Sequence, residues 1–92
     1  MPLPPLILDY ESGVPVYRQI QAAVVNALAR QQLRPDEPLP TIHQLARALD
    51  VNPNTVARAY RELEQAGHVV GMRGRGTFPV PATAAKASST AR

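Results

Sequence analysis

The sequence has 92 residues, a length that supports one domain with a modest hydrophobic core and leaves little room for an enclosed active site. It has no cysteine and only two histidines, so we expect no disulfide, no structural metal and no cofactor. The formal charge is +3, and residues 38–92 carry seven basic and three acidic groups. That half is the candidate surface for a polyanion, although ordinary solubilising charge is the alternative.

The first 14 residues contain three of the ten prolines and indicate an extended N-terminal arm, in which residues 6–8 could pack against the domain. The start lacks the basic leader and long apolar stretch of a signal peptide. No apolar run reaches the roughly 18 residues of a membrane span. We therefore expect a cytoplasmic protein with no membrane partner.

A first helix is predicted at about residues 15–31. Pro15 suits the first turn, where its missing N–H is not needed. Apolar residues then recur at spacings of three and four, which predicts one buried stripe. The stripe consists of Val16, Ile20, Ala23, Val24, Ala27 and Leu28. Residues 34–40 follow as a proline-punctuated loop.

Second and third helices are predicted at about 42–49 and 53–66. Thr41 and Gln44 have the spacing of a capping box at the start of the second helix. Asn52 is a favourable cap for the third helix. Its neighbour Pro53 takes the first helical position, and Gly67 suits the left-handed position after the helix.

The tight turn between these helices predicts a helix-turn-helix. Ala46 supplies the small residue needed where the two backbones cross. Asp50 stands where glycine is usual, and it is among the few other residue types that tolerate positive φ.

The third helix has two contrasting faces at about 100° per residue. Apolar side chains on one face are expected to be buried, namely Val56, Ala59, Tyr60 and Leu63. The opposite face carries hydrogen-bonding groups of the kind that read bases and phosphates, namely Asn54, Arg58, Arg61 and Gln65. A merely solvated helix face is the alternative.

Residues 68–70 and 77–80 flank a glycine-rich basic tip at 71–76, which predicts a β-hairpin. Pro79 cannot donate to a ladder, so its strand is an edge or ends there. The two arginines of the tip suit a narrow minor groove, although an ordinary charged turn is the alternative. Residues 81–92 are predicted to form a flexible polar tail.

The predicted fold is mainly α with a small β-hairpin: a winged helix-turn-helix of three helices plus a wing, over residues 15–80. Its motifs together resemble the GntR family of bacterial regulators, and the Val-Asn-Pro-Asn-Thr-Val segment and the Ala-Tyr pair resemble the YtrA subfamily. These motifs are residues 14–20, 39–41, 45–46, 51–56, 59–60, 63–64, 67 and 74–78.

This resemblance implies a transcription regulator, usually a repressor, that binds double-stranded DNA as a homodimer on an inverted repeat. It places the third helix in the major groove and the wing at the minor groove. The family's DNA-contacting positions fall on Thr41, His43, Asn54, Thr55, Arg58, Arg73, Gly74, Arg75 and Gly76. The candidate set also includes Asn52 and Arg61, at the start and on the outer face of the third helix.

Two departures from the family pattern affect these expectations. Many members have Ser at position 41 and Arg at position 43, so His43 gives up a permanent charge. The subfamily usually adds a helical dimerisation segment after the wing, for which residues 81–92 are too short. The chain is then truncated, or dimerisation is weak or uses the first helix and the arm.

Two other functions are alternatives to the repressor. One is a low-specificity DNA-binding module or a truncated regulator head, and the other is a winged helix used for protein contacts. An enzyme is the least favoured class, because no catalytic residues, no nucleophile–base pair and no phosphate-cradling motif are recognisable. The residues indicate no site for a small-molecule effector.

Overall fold

The computed structural model describes residues 6–80, which form three helices followed by a two-stranded hairpin. In chain order the elements are α1 (Val16–Ala29), α2 (Ile42–Leu49), α3 (Pro53–Gln65), β1 (Val69–Met72) and β2 (Gly76–Pro79). The fold is the predicted winged helix-turn-helix. The first five residues of the arm and the predicted tail, 81–92, lie outside the described residues. Over the described part of the chain, none of the helices has the length and apolar character of a membrane span.

Helix α1 is shorter than the predicted 15–31. Pro15 occupies the capping position rather than the first turn, and the helix ends at Ala29. The early end has a backbone cause, because Gln31 adopts a positive φ of 57° that cannot continue a right-handed helix. The chain reverses there, and the N–H of Gln32 donates to the carbonyl of Ala27 at 2.8 Å. This reversal returns Leu33 to the core, where it is buried.

The core lies between α1 and α3, with α2 packed against α3. Its largest fully buried side chains are Ile20, Val24, Leu45 and Val56. The predicted apolar face of α3 is confirmed, because all four of its members are buried. On α1 only the centre and end of the predicted stripe are fully buried, while Val16 and Ala23 are half-buried. Burial of each large aliphatic side chain contributes about 1.5–3 kcal/mol.

The turn between α2 and α3 has the predicted geometry. Asp50 ends α2 in the left-handed region, at φ 56° and ψ 49°. The N–H of Val51 then donates to the carbonyl of Ala46 at 2.9 Å, which closes the helix end. The same Ala46 is 3% exposed, as expected for the small residue at a close helix crossing.

The hairpin is antiparallel, and Met72 pairs with Gly76 at its tip. The turn is therefore shorter than the predicted 71–76 and consists of residues 73–75. Gly74, at φ 76°, takes the conformation that this tight turn requires. Strand β2 ends at Pro79, as predicted.

Both sides of the hairpin are joined to the helical body. The N–H of Leu39, between Pro38 and Pro40, donates to the carbonyl of Thr77 on β2 at 2.7 Å. On β1, the N–H of Gly71 donates to the carboxylate of Glu64, on α3, at 3.0 Å. These two contacts fix the position of the hairpin beside α2 and α3.

Candidate nucleic-acid interface

The start of α3 is held by Asn52, as predicted. Its side-chain oxygen accepts a hydrogen bond from the N–H of Asn54 at 2.8 Å, and its carbonyl accepts from the N–H of Thr55 at 2.9 Å. The cap occupies the amide oxygen of Asn52 and leaves its amide N–H groups for an outside acceptor such as a phosphate. Thr55 lies half-buried at the flank, and Asn54 is exposed.

The outer face of α3 is exposed along its length, with Asn54, Arg58, Arg61 and Gln65 all at the surface. Within residues 6–80 the side-chain amide of Asn54 has no hydrogen-bond partner, so both its donor and its acceptor can meet an adenine edge. This part of the face has the chemistry expected from the sequence.

Arg58 lies on this exposed face, but its guanidinium group also contacts other side chains of the protein. Its Nε donates to Glu62 at 3.2 Å, and an Nη donates to the hydroxyl of Tyr17 at 3.2 Å. Its guanidinium carbon lies 3.9 Å from the centre of the Tyr17 ring. Sequence reasoning missed this contact, because the two residues are 41 positions apart. The available signal was the spacing of Tyr17 and Gln21, which places both on one side of α1.

The capping box at α2 is confirmed in both directions. The Thr41 hydroxyl accepts from the N–H of Gln44 at 3.1 Å, and the Gln44 side chain accepts from the N–H of Thr41 at 3.0 Å. The Thr41 hydroxyl hydrogen remains available to an outside acceptor. Thr41 also lines a groove with Arg75 and Gly76, so the structure brings the α2 start and the wing together. His43 is exposed on α2 and lines a separate groove with Arg47.

The wing tip is almost bare apart from its two arginines. Arg73 and Arg75 are exposed, and the guanidinium carbon of Arg75 lies 5.7 Å from the centre of the Phe78 ring. Gly76 has a φ of 112°, and a Cβ at that position would meet the Cβ of Pro38 at 3.5 Å. The backbone conformation thus favours glycine at this end of the turn, which keeps the tip narrow.

The charge of this surface is predominantly positive. The exposed cations of the helix-turn-helix and the wing are Arg47, Arg58, Arg61, Arg73 and Arg75. Of the nearby acids, Glu62 is paired with Arg58 and Glu64 accepts from the wing backbone. Over the described residues, no group of three or more His, Cys, Asp or Glu side chains is arranged to hold a metal ion.

The capped α3 with its polar outer face, the left-handed turn before it and the arginine-tipped hairpin after it define a winged helix-turn-helix domain. The sequence model of bacterial regulatory proteins of the gntR family matches residues 16–78. The chain belongs to the GntR family.

Relatives and solved structures agree with this assignment. The transcriptional repressor YtrA of Bacillus subtilis is 38% identical over 77% of this chain and 55% of its own length. YtrA from Sulfolobus acidocaldarius, described as a GntR-family transcription factor, superposes with a TM-score of 0.73 at 34% identity, over 83% of this chain and 64% of its own. The AraR DBD in complex with operator ORX1 superposes with a TM-score of 0.71 at 25% identity, over 85% of this chain and 96% of its own. The match spans 55–60% of the length of three curated relatives and 15–30% of the length of four others.

Proposed function

We propose that this chain is a sequence-specific DNA-binding transcription regulator, and that it represses transcription by occupying an inverted-repeat operator as a homodimer. In this proposal α3 enters the major groove and the turn at residues 73–75 lies at the minor groove. The observation that carries the proposal is the polar outer face of α3, which is exposed and begins at a rigid Asn52-Pro53 cap.

Base recognition is assigned to the side chains of α3. The N-terminal part of a recognition helix meets base edges in the major groove. Asn54 matches adenine and Arg58 matches guanine, each through a pair of parallel hydrogen bonds. We assign Arg61, further along the same face, to a contact with the DNA backbone.

Phosphate and minor-groove contacts are assigned to the start of α2, the flank of α3 and the wing. Thr41 and Thr55 offer hydroxyl groups to phosphates, and Asn52 offers the amide hydrogens that its cap leaves unused. His43, on the exposed side of α2, offers an imidazole N–H to a phosphate. Arg73 and Arg75 suit the negative potential of a narrowed minor groove.

The relatives support the regulatory part of the proposal. YtrA of Bacillus subtilis is a transcriptional repressor, and AraR DBD was crystallised on an operator. A homodimer would place two copies of α3 about 34 Å apart, one helical turn of DNA. We place the activity in the cytoplasm, where the DNA of a bacterium lies.

Selection of bound sequences from a random DNA pool, followed by footprinting, tests the proposal most directly. We expect a palindromic consensus with half-sites centred about one helical turn apart. Affinity for the selected site should exceed that for scrambled DNA by roughly 10³-fold or more. An enriched single half-site would contradict the dimer. Equal binding of selected and scrambled DNA would indicate a low-specificity module, and absence of binding would favour protein contacts instead.

Substitution of arginines separates base reading from phosphate binding. We expect Arg58→Ala to relax base preference at a cost of about 1–3 kcal/mol, because it removes a bidentate contact. Arg75→Ala should weaken binding to selected and scrambled DNA alike. Arg30→Ala, which removes an exposed charge at the end of α1, is the matched control and should leave both affinities near those of the parent. Unchanged discrimination in the Arg58 variant would refute its assignment as the reading residue.

A further inference from the structure

The contacts of Arg58 join the recognition helix to α1 in two steps. Tyr17 and Gln21 are spaced by four residues on α1, and Arg58 and Glu62 are spaced by four residues on α3. Tyr17 accepts a hydrogen bond from Arg58 at 3.2 Å, and Gln21 donates one to Glu62 at 2.9 Å. The Arg58–Glu62 ion pair, at 3.2 Å, links the two steps along α3. We call Tyr17, Gln21 and Glu62 the Arg58 bracket.

The carboxylate of the bracket is itself held in place. Gln21 reaches Glu62 through its side-chain nitrogen, which also lies 3.5 Å from the carbonyl of Ala59. The hydrogen bonds from Gln21 and Arg58 lower the pKa of the Glu62 carboxyl below its ordinary value, and the positive charges of Arg58 and Arg18 add to this. Glu62 is therefore ionised at neutral pH, the state in which its carboxylate accepts from Arg58.

The bracket holds Arg58 without using all of its donors. A guanidinium group has five N–H donors, and the contacts with Glu62 and Tyr17 use two of them. The Tyr17 ring covers one face of the group, and 52% of the Arg58 side chain remains exposed. The remaining donors suffice for the two parallel hydrogen bonds that guanine accepts.

We propose that the bracket orients Arg58 for base recognition, and that Tyr17 is a positioning residue for sequence discrimination although it lies on α1, outside the helix-turn-helix. This inference rests on the proposed DNA-binding function. Arginine loses rotamer freedom when it binds, and a side chain already held in one orientation loses less. The paired carboxylate also offsets the charge of Arg58, so that Arg58 contributes little to sequence-independent attraction to phosphates.

Three variants test the bracket on the selected site and on a scrambled duplex. Tyr17→Leu removes both the ring and the hydroxyl, and we expect the ratio of the two affinities to fall about five- to tenfold. Tyr17→Phe keeps the ring, and the fall should be about two- to threefold. Glu62→Gln should lower the same ratio while it strengthens binding to scrambled DNA and steepens the salt dependence.

Asp50→Asn is the matched control for Glu62→Gln, because it removes one negative charge from the helix-turn-helix outside the bracket and asparagine also tolerates the positive φ of residue 50. It should strengthen binding to both duplexes equally and leave the ratio of the two affinities unchanged. Thermal unfolding of each variant identifies those that have lost the fold. A variant that has lost the fold also binds both duplexes more weakly, whereas one that has lost only the orientation of Arg58 keeps its melting temperature and changes the ratio of the two affinities.

The Nε–H signal of Arg58 in the NMR spectrum of DNA-free protein provides a readout independent of DNA. We expect a resolved, slowly exchanging signal in the parent that broadens in Tyr17→Leu. An unchanged affinity ratio in Tyr17→Leu would overturn the positioning role while leaving the proposed function intact. Tighter operator binding in Tyr17→Leu would also overturn it, because the bracket would then be restraining Arg58 from DNA. If the parent shows the ordered signal but no preferred sequence, the proposed function itself fails.

Discussion

Replacing Tyr60 with Phe removes a single buried hydrogen bond and little else. The Tyr60 hydroxyl donates to the carbonyl of Pro40 at 2.7 Å, and the tyrosine is 6% exposed. Pro40 is also buried, so its carbonyl would lose its partner in a site with little access to water. We expect the free energy of unfolding to fall by about 1–2 kcal/mol. For a domain of this size the melting temperature would fall by roughly 5–15 °C.

The same bond predicts a dependence on alkaline pH. Burial raises the pKa of the Tyr60 hydroxyl well above its ordinary value near 10. The unfolded chain therefore releases this proton at a lower pH than the folded protein does. The stability that Tyr60 contributes is complete below pH 10 and is lost as pH rises toward the folded pKa, at up to about 1.4 kcal/mol per pH unit. Tyr60→Phe lacks this titration, so the difference in free energy of unfolding between the parent and this variant should narrow above pH 10.

Urea and thermal unfolding followed by circular dichroism, at pH 7 and between about pH 9 and 11.5, measure both effects. Tyr10→Phe is the matched control, because Tyr10 is 69% exposed and its replacement should change neither midpoint nor pH dependence. Equal midpoints for Tyr60→Phe and the parent at pH 7 would refute the contribution of the hydrogen bond. If the difference in stability between Tyr60→Phe and the parent stays constant across the alkaline range, the raised pKa of the buried Tyr60 hydroxyl would be refuted.

Two further substitutions test the core and the turn. Ile20→Ala should lower the free energy of unfolding by about 2–5 kcal/mol in urea titrations, because Ile20 is fully buried between the helices; the exposed Ile7→Ala should cost far less. Asp50→Gly should raise stability by up to about 1 kcal/mol and Asp50→Val should lower it, because residue 50 has a φ of 56°. Equal thermal midpoints for the two variants would contradict a constraint from positive φ.

Sequence reasoning succeeded where the determinants are local. The caps at Thr41 and Asn52 depend on partners two or three residues away, and the left-handed turn depends on Asp50 alone. The apolar face of α3 follows from helical period. These local features predicted the position of α3 and its exposed polar face correctly.

The misses are contacts between distant parts of the chain. Leu39 lies in the segment interpreted as a proline-punctuated loop and Leu33 comes just before it, yet both are buried. Leu33 reaches the core because Gln31 reverses the chain at a positive φ of 57°. Glutamine is not a residue type that predicts positive φ, so the sequence gives no signal for this reversal. The hold of Tyr17 on Arg58 likewise depends on how α1 packs against α3, which neither helix specifies alone.

The two hydrogen bonds that join the hairpin to the helical body also limit its pairing with strands of other molecules. A two-stranded sheet offers an unpaired backbone edge on each side, and such edges recruit strands from other molecules. Leu39 reaches one edge from between Pro38 and Pro40, which have no N–H to donate, so pairing stops after one hydrogen bond. On the other edge the Glu64 carboxylate takes the N–H of Gly71 and presents negative charge. The arginine-tipped hairpin can thus stay exposed without pairing with strands of other molecules.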